Sequence, residues 1–67
     1  MAKIPFRAAR VAAGLTQLEL AEKMGVSRST VIDWESGERE IRPPYLLLFS
    51  TITGYSVDDI ILPTYTT

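Results

Sequence analysis

Apolar residues recur along this chain at helical rather than strand spacing, and a glycine closes each recurrence. The runs end at Gly14, Gly25, Gly37 and Gly54, and a left-handed glycine after the last turn is the usual helix stop. Three of those stops are followed by a start. Thr16 can N-cap a helix, with Glu19 three residues on completing a capping box; Ser27 can cap the next without an acidic partner at N3; Ser56 can cap a last one with Asp59 as partner. The central segment Gly14 to Gly37 therefore predicts a helix over Gln17 to Met24, a turn at Gly25-Val26-Ser27, and a helix over Arg28 to Glu35. Leu20, Ala21 and Met24 share one stripe of the first, Val31 and Trp34 one stripe of the second, and Val26 can fill the space between them. Trp34 is expected in the core, partly exposed. Arg28, Ser29, Ile32 and Asp33 are left facing outward.

The pattern extends to both sides. Met1 to Ala13 predicts a first helix entered through Pro5, with Ile4, Phe6, Ala9 and Ala13 inward and Lys3 and Arg7 in water. Arg10 falls close to the buried stripe, where a lone guanidinium is costly without a partner. Glu38 to Pro44 is a charged connector with no helical period, in which Arg42 should be extended before Pro43 and Pro44 suits a first helical turn. Tyr45 to Thr53 predicts a fourth helix, its inner row either Leu46, Phe49 and Ile52 or Leu48 and Ile52. The run Thr51-Ile52-Thr53 is a weak helix former, so packing must hold it. Ser56 to Leu62 predicts a fifth short helix whose Val57, Ile60 and Ile61 close the core, and Pro63 ends it. Leu47, Ile41 and Tyr55 find no evident inner place, and form either a dimer surface or scattered exposed groups. The expectation is an all-α fold, one compact five-helix domain over residues 1–62 with a short tail over 63–67.

Composition narrows the chemistry. The 67 residues allow one domain with a small core, marginal unless its helices pack tightly or the chain dimerises. A hydrophobic fraction of 46% argues against disorder. With no cysteine and no histidine, disulfides, thiolate zinc sites and imidazole catalysis are excluded. Only carboxylates could act as general bases, and short helices leave little room for a desolvated pocket, so no enzyme, cofactor or small-molecule ligand is expected. The longest uninterrupted apolar stretch, Tyr45 to Phe49, is far too short for a membrane span, and no leader pattern precedes it. A cytoplasmic protein without membrane contact is expected.

A formal charge of −1 lacks the basic excess usual in nucleic-acid binders, but the charge is polarised. Met1 to Arg28 holds five basic and two acidic residues, a balance of +3; Ser29 to Thr67 holds two basic and six acidic, a balance of −4. Phosphate contact needs only a local positive face and helix N-terminal N–H groups, so a mildly acidic chain can still bind DNA. The central segment is shaped for such binding, because a short helix with its apolar side pinned and a polar N-terminal half facing water is the reading element of a helix-turn-helix. Arg28 can fork two donors onto guanine O6 and N7, worth about 1–3 kcal/mol of discrimination. Asp33 could accept from a cytosine N4, orient Arg28, or repel phosphate.

The run GLTQ-x-ELA-x3-GVS-x3-V-x2-WE-x-G, an R-x-x-P connector, an apolar helix and GYSVDDII resemble the Cro and lambda-type repressor helix-turn-helix family, also called the XRE type. The resemblance covers nearly the whole chain, and its small size looks most like a phage or prophage Cro-like regulator. It implies a DNA-binding transcriptional repressor acting as a homodimer on two-fold double-stranded operator DNA. Gln17 matches a glutamine that hydrogen-bonds a phosphate; Ser27, Arg28, Ser29 and Asp33 match the groove-facing recognition-helix positions, with Thr30 among them expected to be DNA-binding; Arg39 and Arg42 match backbone-contacting connector positions; Arg10 and Glu35 match a buried structural ion pair. The groove-facing surface carries Arg28 and Asp33 where some members carry glutamines, so base preferences do not carry over. The rival expectation is an antitoxin or antirepressor acting by protein–protein binding, suggested by the acidic C-terminal half and the exposed apolar groups.

Overall fold

The computed structural model describes residues 3–63, in which the chain forms four helices, a single 3-10 turn and a two-residue parallel ladder. The order is β1 (Ile4–Pro5), α1 (Phe6–Ala12), α2 (Gln17–Met24), α3 (Arg28–Ser36), α4 (Pro43–Thr53), a 3-10 turn (Val57–Asp59) and β2 (Ile60–Ile61). The expected start of the first helix at Met1 and the tail Thr64 to Thr67 lie outside the described residues.

The two central helices form where their punctuation places them. The Thr16 hydroxyl accepts the Glu19 N–H at 3.0 Å while the Glu19 carboxylate accepts the Thr16 N–H at 2.9 Å, a complete capping box. Ser27 Oγ accepts the Thr30 N–H at 3.2 Å to open α3. Gly25 ends α2 at φ +70°, a conformation costing an L-residue about 1–2 kcal/mol. Arg42 is extended (φ −78°, ψ 154°) and Pro43 and Pro44 fill the first turn of α4, where their missing N–H groups cost nothing.

Two expectations fail at the ends, for related reasons. The first helix begins at Phe6, because a residue preceding proline is pushed out of the α region: Ile4 is extended and Pro5 is the N-cap at φ −61°, ψ 150°. Its far end is corrected too, since Ala13 is exposed past the last turn and takes no part in the core. The expected fifth helix is only the turn Val57–Asp59, opened by Ser56 Oγ accepting the Asp58 N–H at 3.3 Å rather than by a box with Asp59. Ile60 is extended (φ −91°, ψ 124°) and pairs in parallel with Ile4, as Ile61 does with Pro5. Paired β-branched residues ahead of Leu62-Pro63 favour strand over helix, and the N-terminal strand supplies hydrogen-bonding partners. The side chains alternate accordingly: Ile60 is buried and Ile61 is 46% exposed, so Ile61 does not close the core.

Phe6, Ala9, Leu20, Ala21, Met24, Val31, Trp34, Ile41, Phe49 and Ile60 make the core. Phe6 stacks on Phe49 with ring centroids 4.0 Å apart and meets Trp34 edge-on at 6.4 Å. Leu46 and Ile52 pack beside Phe49 while Leu48 is exposed, which settles the inner row of α4. Trp34 is 3% exposed, deeper than expected. Ile41 is buried and Tyr55 half-buried against the core, leaving Leu47 alone of that trio in water. Packing α2 against α3 through Leu20, Ala21 and Met24 fixes the axis of α3, and with it the direction its outer face presents.

Candidate nucleic-acid interface

The outer face of α3 is built from its cap outward. Ser27, Arg28, Ser29 and Ile32 are exposed, and Thr30 and Asp33 are half-buried. The Ser27 and Thr30 hydroxyls lie 3.0 Å apart across the first turn. Both therefore serve the helix start first, and they sit at the same end at which the uncapped N–H groups of α3 gather.

Behind this face runs a chain of polar contacts into the interior. Arg10 Nε donates to Glu35 Oε2 at 2.6 Å and Nη2 to Glu35 Oε1 at 3.4 Å, while Nη1 donates to the Leu15 carbonyl at 2.7 Å. The two side chains are 9% and 6% exposed, so the pair expected between the first helix and the end of the second motif helix is formed and buried. Gln17 Nε2 donates to Glu35 Oε1 at 3.0 Å, and Gln17 Oε1 accepts from Arg28 Nη2 at 3.2 Å. Arg28 is thus held against Gln17, and Asp33 does not orient it. The Asp33 carboxylate instead faces Arg39 Nη2 at 3.7 Å, an exposed pair of small energetic weight. The Arg39 N–H also donates to the Asp33 carbonyl at 3.2 Å, fastening the connector to the end of α3.

Arg39 and Arg42 meet Ser27 and Thr30 along an open groove of about 760 Å³, which Val26, Trp34, Glu40, Pro43 and Tyr45 also line. The groove joins the start of α3 to the connector, so four of the eight expected DNA-facing residues share one concave surface. Gln17, Arg28, Ser29 and Asp33 lie outside it, on α2 and the outer face of α3. Tyr45 and Glu40 were not legible as site residues. Tyr45 gains its place through ring contact with Trp34 at 5.5 Å, which depends on how α4 docks. A shifted titration stands at the start of α2. There the Thr16 N–H, foremost, and the Thr16 hydroxyl hold the Glu19 carboxyl below its usual range. Among the described residues no helix is long and apolar enough to cross a membrane, and no cluster of acidic groups could hold a metal ion.

Comparison with known proteins agrees with this geometry. A family model described as Helix-turn-helix matches residues 6–60, from the start of α1 into β2. No curated protein matches the chain.

Proposed function

Because the chain belongs to the helix-turn-helix family of the XRE type, a family of DNA-binding regulators, we propose that it is a sequence-specific transcriptional repressor whose α3 enters the major groove. The observation that carries this reading is the exposed Arg28 at the first position of a helix whose other side is sealed by Val31 and Trp34. Of the five guanidinium N–H donors, Gln17 takes one, which leaves enough for a bidentate contact to guanine. Ser29 and Asp33 flank it on the outer face. Ser27, Thr30, Arg39 and Arg42 contact phosphates along the groove, and the second N–H of the Gln17 amide reaches another. One nine-residue helix reads only a few base pairs, so operator recognition requires two copies on a two-fold site, acting in the cytoplasm by occupying the promoter.

The test is selection from random double-stranded DNA at stated salt, with wild type and Arg28→Ala side by side. The wild type should enrich a two-fold motif, and Arg28→Ala should flatten preference at one base pair per half-site by about 1–3 kcal/mol while binding random DNA nearly as well. Equal preference in the two proteins refutes the role of Arg28. The antitoxin reading loses two of the three apolar groups that suggested it, since Ile41 and Tyr55 are packed against the core.

A further inference from the structure

We infer that Glu35 is a positioning residue for base recognition, acting on Arg28 through Gln17. This rests on the proposed reading of Arg28 and extends it inward. The four side chains alternate in polarity from interior to surface, as guanidinium, carboxylate, amide and guanidinium, joined at 2.6, 3.0 and 3.2 Å. Chemistry permits only one orientation of the amide. A carboxylate has no hydrogen to give, so Glu35 must face the Gln17 nitrogen; a guanidinium has no lone pair to offer, so Arg28 must face the Gln17 oxygen. Turning the amide over sets oxygen against oxygen and nitrogen against nitrogen.

Glu35 is itself immobilised. Arg10 grips it with two nitrogens and anchors its third to the Leu15 carbonyl, and both side chains are more than nine-tenths buried. The fixed carboxylate fixes the amide, and the amide gives the exposed Arg28 one preferred rotamer before DNA arrives. Among the described residues the Arg28 guanidinium bonds to Gln17 and to no other side chain, so this bond alone ties its head down. A long side chain held in its binding conformation loses less rotamer freedom on docking, and a wrong base cannot be met by a simple swing of the head. The buried pair that ties α1 to α3 thereby also sharpens the base preference of a residue on the surface.

Single substitutions at Glu35 strand the Arg10 charge and threaten the fold, so the test uses neutral pairs. Arg10→Met/Glu35→Gln keeps a carbonyl acceptor for Gln17, whereas Arg10→Met/Glu35→Met offers only a weakly accepting thioether, and the two are otherwise alike in charge and size. Each is taken through random-DNA selection with wild type and Arg28→Ala, and thermal melts by circular dichroism verify that each is folded at the assay temperature. At the base pair that Arg28→Ala flattens, the Gln variant should keep wild-type preference within about twofold and the Met variant should lose about threefold or more, with affinity for random DNA equal in both. Equal preference in the two double variants, whether kept or lost, overturns the relay and leaves the DNA-reading assignment standing. A wild type that enriches no motif overturns that assignment, and the relay falls with it.

Discussion

Removing Arg10 alone should cost at least about a third of the stability this domain has. At 67 residues a typical stability is about 3–10 kcal/mol. Arg10→Met leaves the Glu35 carboxylate, 6% exposed, facing no cation and only the Gln17 amide, and stranding one half of a buried pair costs about 3–5 kcal/mol. Glu35→Met strands the guanidinium, with its remaining bond to Leu15, at similar cost. In Arg10→Met/Glu35→Met no charge is stranded. What persists is an unsatisfied Leu15 carbonyl and a freed Gln17 amide at the surface, about 1–3 kcal/mol together. The double variant should therefore be more stable than either single one, with a coupling energy of at least about 3 kcal/mol. Equilibrium urea unfolding measures this directly, since the midpoints shift at constant slope if only the native state is affected. Melting should fall by at least about 12 °C in each single variant. A double variant that loses the sum of the two singles, or singles that each lose under about 1 kcal/mol, would refute the account of a buried, mutually dependent pair.

Two further outcomes follow from the ends of the elements. The Glu19 carboxyl titrates lower in the folded chain than in the unfolded one, so its contribution is full above the ordinary carboxylate range and disappears as pH falls through the lowered value. Glu19→Ala should melt below wild type at neutral pH and converge with it in strong acid, and a pH-independent gap in melting temperature would contradict the capping box as its source. At the parallel ladder, Ile60→Ala should destabilise by about 2–5 kcal/mol and Ile61→Ala by about 0.5 kcal/mol or less. Similar urea midpoints for the two would restore a helical register in which both face the core.

What could be read from the sequence was whatever is encoded locally. The glycine stops and hydroxyl caps of α2 and α3 sit within four residues of the bonds they make, so the boundaries Gln17 to Met24 were legible outright and α3 was short by one residue. The first helix was overrun for a local reason, the proline at position 5, whereas the failures at the other end of the chain and in the core involve partners far along the chain. Nothing between Ser56 and Leu62 records that Ile4 lies opposite Ile60, and without that partner the apolar spacing of Val57, Ile60 and Ile61 reads equally well as a turn of helix. Ile41 looked stranded for the same reason, because the pocket that receives it is made by other elements. At the site, residue types and faces were visible, but pairings were not. Asp33 could serve Arg28 or Arg39 on spacing alone, and the docking of the connector decides for Arg39.

Those pairings also bear on the weak charge. A net charge of −1 provides little sequence-independent attraction to DNA, so the proposed function rests on geometry rather than on a long-range field. Three carboxylates near the outer face of α3 are engaged, Glu35 with Arg10 and Gln17, Asp33 with Arg39, and Glu19 with the Thr16 N–H, while Glu40 lines the groove between Arg39 and Arg42. What α3 presents at its start is Arg28 beside the hydroxyls of Ser27 and Thr30, with Arg39, Glu40 and Arg42 along the groove, so three guanidinium groups outnumber the carboxylates of Asp33 and Glu40 within a mildly acidic chain. Such a surface attracts phosphate only at short range, where the positions of its donors matter most. A domain of this kind gains more from holding one arginine in place than from adding several mobile ones, because each mobile cation strengthens right and wrong sites alike while a fixed one strengthens only the site it fits.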